Sequence, residues 1–107
     1  MKRGEVWWVN FGPSVGGEIQ KRRPAVIVSN DAANKFLNRL QVVPLTSNIE
    51  KCYPSETLVT VKRRQSKAMA NQVTTVSKKR LTQFQGRIPL PELRKVEEAI
   101  LVQLGIR

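Results

Sequence analysis

Apolar residues recur at two spacings along this chain of 107 residues, and the spacing changes once. Up to about residue 90 the apolar runs are short, rich in β-branched and aromatic residues, and broken by turn formers, which is the strand pattern. Glu5–Phe11 (EVWWVNF) predicts a first strand, with Trp7, Val9 and Phe11 on one face and Val6 and Trp8 on the other. Ala25–Val28 lacks polar alternation and predicts a short strand buried on both faces. Leu40–Leu45 (LQVVPL), Thr57–Val61 (TLVTV) and Ala68–Val76 (AMANQVTTV) read as strands, and Gln85–Ile88 as a last one. Pro24 cannot donate to a ladder and suits a strand's first residue or an edge, and Pro44 implies an edge or a bulge. Asp31–Asn38 predicts a short helix or turn capped by Asn30 or Asp31, and Ser77 caps a helical turn over Lys78–Phe84. Beyond Pro91 the period becomes three and four. Leu93, Val96, Ile100 and Leu104 form one stripe, with Glu92 at the positive helix end and Gly105 as the stop. Five or more short strands with one terminal helix imply a single domain over 1–107, built as a small twisted sheet or barrel.

Between the first two strands lies Gly12–Gln20, long for a hairpin connection in so small a domain. Its sole acid, Glu18, stands three residues before Lys21-Arg22-Arg23-Pro24. An ion pair with one of those cations and a role in a site are both open to it. Thr46-Ser47-Asn48 puts hydroxyls at a strand end, as the arginines sit at a strand start, although on composition alone an ordinary polar turn is the simpler reading.

Charge narrows the partners. Lys and Arg number 19 against 8 Asp and Glu, a net +11. Between Glu56 and Glu92 there is no acid, yet eight cations lie there: Lys62, Arg63, Arg64, Lys67, Lys78, Lys79, Arg80 and Arg87. That distribution favours a polyanion, nucleic acid ahead of an anionic membrane surface. The basic turn Lys62–Lys67 is a phosphate contact or a solvated tip, and Gln72 is structural glue or a base reader. One of the two tryptophans is a candidate for base stacking, although core packing is the simpler role for both.

Missing residues exclude much chemistry. There is no histidine, so a Cys–His pair, a Ser-His-Asp triad and the usual zinc sites are absent. No acidic cluster suggests a two-metal site, and no cofactor is expected. Lone Cys52 forms no internal disulfide and suits a reducing cytoplasm. No signal peptide and no membrane-length apolar run is visible. What remains is arginine, a hydroxyl and a glutamate. RNA carries its own nucleophile, the 2′-hydroxyl, so such a set suits RNA rather than DNA. A guanidinium fork binds two phosphoryl oxygens and stays charged through the transition state. Arginine is a poor base at neutral pH; Glu18 is better suited, if it reaches.

Several segments together resemble the MazF/PemK family of toxin endoribonucleases from bacterial type II toxin–antitoxin modules. They are Arg3–Phe11 (RGEVWWVNF), Gly16-Gly17-Glu18, Arg23–Asn30 (RPAVIVSN) and Val43-Pro44-Leu45-Thr46, with Gln72 to Leu81 in spacing and Leu93 to Gly105 as the closing helix. The resemblance implies an SH3-like barrel of five to seven strands with short helices and a C-terminal helix, assembled as a homodimer. It implies metal-independent, sequence-specific cleavage of single-stranded RNA in the cytoplasm, inhibiting translation and growth. The catalytic roles fall on Arg23 and Thr46, with Glu18 as the acid of the loop. Lys21, Arg22, Arg63, Arg64, Gln72, Lys78, Lys79 and Arg80 are the expected RNA contacts. A MazE-like acidic antitoxin would cover the basic groove, and weak DNA contact would come through that complex. Many relatives carry arginine after the Gln-Val pair, where this chain has Thr74, so no relative's cleavage motif carries over. The alternative is a non-catalytic binder of this fold, such as a gyrase-poisoning CcdB-like toxin or a nucleic-acid-binding module; Arg23-Pro24 with Thr46 favours the ribonuclease branch.

Overall fold

Seven strands and two α-helices make up the computed structural model, which describes residues 1–13, 15–16 and 21–106. In order they are β1 (Glu5–Asn10), β2 (Arg22–Ile27), α1 (Asp31–Phe36), β3 (Arg39–Thr46), β4 (Glu56–Val61), β5 (Arg64–Met69), β6 (Thr74–Ser77), β7 (Leu81–Arg87) and α2 (Leu90–Leu104). The strands join as β4-β5-β3-β2-β1-β7, with β6 also on β3. Every pairing is antiparallel, and the end strands β4 and β7 touch, so the sheet curls towards a barrel.

Alternation along the central strands fills two cores, one on each face. Val6, Val26, Val43, Leu45, Val59 and Ala68 pack with Ile88 and with Leu93 and Val96 of α2. Val9, Ala25, Ile27, Leu40, Val42, Val76 and Leu81 form the other, with Trp7 and Phe11 against it. This is why Ala25–Ile27 shows no polar alternation: both of its faces are covered. A fully buried aliphatic side chain contributes about 1.5–3 kcal/mol of transfer free energy, so these layers fix the register of the central strands.

Four boundaries differ from the sequence expectation. Strand β2 begins at Arg22, so two of the cations lie inside the strand rather than before it. Pro24 is on a central strand, opposite Trp8; the β2–β3 ladder begins only at Ala25–Pro44, and Leu45 pairs instead with Ala68 of β5. Pro44 likewise falls between the β6 pairing, which ends at Val42, and the β5 pairing, which starts at Leu45. Both prolines therefore stand where a strand changes partners and no ladder bond is lost. The basic turn is two residues, Lys62-Arg63; Arg64–Met69 is a strand, and Lys67 is buried within it. The expected long strand Ala68–Val76 is broken by a 3-10 turn at Ala70–Gln72. Ser77 does cap a 3-10 turn, through its hydroxyl and Lys79 N–H, but the turn ends at Arg80 and β7 follows at once.

The helices obey local rules. Asn30 caps α1 by accepting from Ala33 N–H at 2.8 Å. Gly105, at φ 72°, ends α2 in the left-handed conformation. At the other end of α2, Glu92 accepts from Thr60 N–H (2.7 Å) and Thr60 Oγ1 (2.9 Å), which ties the helix to β4. Leu104 is exposed, so the apolar stripe meets the core through Leu93, Val96 and Ile100 but not at its last residue. No helix among the described residues is long and apolar enough to cross a membrane.

Glu5 anchors the N-terminus. Burial raises its carboxyl pKa, but hydrogen bonds from Trp7 Nε1 and Lys2 N–H, with the N-terminal ammonium and Arg87, hold it below the ordinary 4.5. A depressed folded-state pKa stabilises above the unfolded value, and the gain is lost as pH falls through the folded value. Glu5→Gln is therefore expected to flatten the acid limb of the thermal-stability curve below about pH 4.5, relative to the unaltered chain, as thermal unfolding across pH would show.

Candidate active site

Arg23 and Thr46 come from neighbouring strands. The β2–β3 ladder ends at Ala25 against Pro44, two residues from Arg23 on β2 and two from Thr46 on β3; Thr46 itself pairs with Lys67 of β5. Both lie on the face that carries Val9, Ala25, Ile27 and Val42. The strand order, not the chain order, brings the two residues to the same end of neighbouring strands, since 22 residues separate them in sequence.

The local chemistry prepares each partner. Arg23 is half-buried, and its buried Nε has no hydrogen-bond partner among the described residues. A guanidinium N–H left unsatisfied in a desolvated place is a donor held ready for an acceptor, because leaving it unmade is costly. Thr46 Oγ1 accepts from Asn48 N–H at 3.3 Å. With a lone pair engaged there, its own O–H remains the donor to offer outwards.

On the same face, a cleft is lined by Phe11, Asn71, Gln72, Thr74, Val76 and Arg80, among others. The 3-10 turn at Ala70–Gln72 brings Gln72 to this cleft, half-buried. Arg80 reaches it from the next turn and donates to Asn10 O at 3.0 Å. Thr74 also lines this cleft.

Lys21 and Arg22 border a second cleft together with Arg23, Trp8, Ser47 and Ser66. Arg22 lays its guanidinium over the Trp8 ring at 4.6 Å and donates to Gln83 Oε1 at 3.4 Å. The remaining expected contacts disperse. Arg63 is at the exposed hairpin tip, and Arg64 borders a further cleft with Lys62. Lys78 donates to the Asn34 carbonyl and lines a cleft beside α1, with Lys2 and Asp31, away from Arg23. Lys79 is exposed on the same turn. Glu18 lies outside the described residues. Among the described residues no three His, Cys, Asp or Glu side chains gather where an ion could be held.

Two features escaped the sequence. Lys67, read as part of a basic turn, is a buried ion-pair partner of Glu56 at 3.4 Å. The two tryptophans also separate: Trp7 packs edge-on to Phe84 and donates to Glu5, whereas Trp8 stacks with Arg22 and lines two clefts. Alternation along β1 puts the two on opposite faces, but only the pairing with β2 gives Trp8 a cationic neighbour.

The sequence model described as PemK-like, MazF-like toxin of type II toxin-antitoxin system matches residues 2–104. The chain is 39% identical to endoribonuclease MazF9 of Mycobacterium tuberculosis, over 99% of this chain and 98% of that protein. It is 31% identical to endoribonuclease EndoA of Bacillus subtilis, over 99% of this chain and 96% of that protein. Among solved structures, MazF of Deinococcus radiodurans superposes with a TM-score of 0.86 at 26% identity, covering 98% of this chain and 96% of that one. The same protein solved as a MazE–MazF complex gives 0.77 at 26% identity, covering 98% and 95%.

Proposed function

The chain belongs to the PemK-like, MazF-like toxin family of type II toxin–antitoxin systems, and from that footing we propose that it is an endoribonuclease in which Arg23 and Thr46 act on the scissile phosphate of single-stranded RNA. The observation that supports this reading is the β2–β3 ladder, whose last pair, Ala25–Pro44, stands two residues from Arg23 and two from Thr46. The RNA 2′-hydroxyl attacks the adjacent phosphorus and the 5′-oxygen leaves, giving a 2′,3′-cyclic phosphate and a 5′-hydroxyl. The Arg23 fork neutralises the phosphoryl oxygens as charge grows on them. Thr46 donates its hydroxyl to another of those oxygens. Glu18 is the residue we assign to proton abstraction, since a carboxylate is a better base at neutral pH than a guanidinium. Gln72, Thr74 and Arg80 line the cleft on that face and contact the flanking nucleotides.

The chain acts as a homodimer and is neutralised by an acidic antitoxin. Support for the partner comes from the Deinococcus radiodurans MazE–MazF complex and from the net charge of +11, which attracts an acidic polypeptide as well as RNA.

Two substitutions in the substrate and buffer test the chemistry. Cleavage is expected to persist in excess EDTA and to vanish when the nucleotide 5′ of the cut carries a 2′-deoxyribose. Cutting of the deoxy substrate would rule out the internal nucleophile. Thr46→Ala should slow cleavage about 10- to 100-fold, the worth of one hydrogen bond to a charged group, about 1.5–3 kcal/mol.

A further inference from the structure

Trp8 and Arg22 share the face of Val6 and Val26, the opposite face of the sheet from Arg23 and Thr46. They lie at the open end where β3 leaves β2 for β5. Two clefts meet there. One, of about 440 Å³, is bordered by Lys21, Arg22, Ser47 and Ser66, with Arg23 at its rim. Its neighbour, of about 320 Å³, is bordered by Val61, Lys62, Arg64 and Gln85. Trp8, Pro24, Leu45 and Ser66 line both, so the two form one groove with the indole at its middle.

Resting on the ribonuclease reading, the geometry points to this groove as an extension of the RNA site at Arg23, where a nucleobase flanking the cleaved bond stacks on Trp8. Three observations converge on a base. The indole is stacked by the Arg22 guanidinium, and an aromatic face beside arginine suits any base. Gln85 supplies an amide and Arg64 a fork, the groups that read base edges. No acid borders either half among the described residues, while Lys21, Arg22, Lys62 and Arg64 ring it with positive charge for the adjoining phosphates. The wall itself is strained. Lys62 and Arg63 form the two-residue β4–β5 turn at φ 50° and 66°, where Asn-Gly would sit at lower cost. Left-handed strain in non-glycine residues, cationic ones beside a cleft, is spent where it aims side chains.

Arg22 and Arg23 are successive residues on opposite faces of β2, about 3.3 Å apart along the strand. A single strand bound at Arg23 passes over this rim to reach Trp8, so the site takes a nucleotide only in RNA long enough to cross it.

The test compares kcat/KM on a short cleavable RNA with that on an extended one. Trp8→Leu and the double variant Arg64→Ala/Gln85→Ala should each lower the advantage of the long substrate by about tenfold, within the range for one stacked or edge-read base. Trp8→Phe should restore most of the loss. In parallel, Trp8 fluorescence in a Trp7→Phe background should quench on titration with a 2′-O-methyl oligonucleotide, which cannot be cut. An unchanged long-to-short ratio with no quenching overturns the site. Loss of binding to an acidic polypeptide alone, with the RNA ratio intact, overturns it in favour of a protein partner. Absence of any cleavage by the unaltered protein defeats the ribonuclease reading instead, and the quenching titration still reports on the groove.

Discussion

Arg23→Ala is expected to reduce RNA cleavage by at least about 10²–10³-fold, the usual cost of removing one preorganised donor to a developing oxyanion. The fold should survive. The buried Arg23 Nε hydrogen-bonds no described residue, so removing it breaks no such bond within the described fold. Its backbone pairing with Val9 is unaffected by the side chain. Arg23→Lys separates charge from shape: lysine keeps the cation but has no planar fork for two phosphoryl oxygens, so most activity should still be lost. Steady-state cleavage with thermal unfolding of the same preparations decides the matter. A folded Arg23→Ala protein that cuts at the normal rate would remove Arg23 from the chemistry.

The largest expected stability effect belongs to Lys67. Its side chain is 11% exposed and that of Glu56 9%, with 3.4 Å between them. Lys67 Nζ also donates to Lys51 O at 2.8 Å, and Glu56 Oε1 accepts from Tyr53 N–H at 3.0 Å. The pair thus holds the 47–55 connection, which begins directly after Thr46, against β5, where Lys67 is the cross-strand partner of Thr46. Lys67→Met removes one charge and leaves the other buried without its counter-ion, a change that costs about 3–5 kcal/mol in comparable pairs. Lys67→Met combined with Glu56→Leu should recover much of that, since an apolar pair of similar volume needs no desolvation of ions. Urea unfolding of the single and double variants measures both numbers. A single variant as stable as the parent would mean that the pair is effectively solvated.

The contrast between these two cations shows how far residue patterns carry. Arg23 stands out locally because it precedes a proline and a continuous apolar run, and because a chain with no histidine has few other groups for phosphate chemistry. Lys67 stood equally in a cationic run, yet its neighbours in sequence carry no hint of Glu56, eleven positions earlier. The β4–β5 hairpin, closed by two residues rather than six, is what faces them. Trp7 and Trp8 differ for a similar reason: period-two alternation separates their faces, but the covering of each face comes from other strands.

The sequence by itself determined the strand-rich class and the closing helix with its glycine stop, since each rests on short-range pattern, while the resemblance of the segments around them to one family singles out Arg23 and Thr46. Only the tertiary structure decided that Arg23 and Thr46 lie just beyond the same end of one ladder, that Gln72 and Arg80 share a cleft while Lys78 turns to Asn34, and that Arg22 stacks on Trp8 in a cleft that Arg23 borders. The physical reason is that strand pairing is non-local. Register is fixed by which apolar faces must be buried together, and a shift of one residue would carry every one of these side chains to the opposite face.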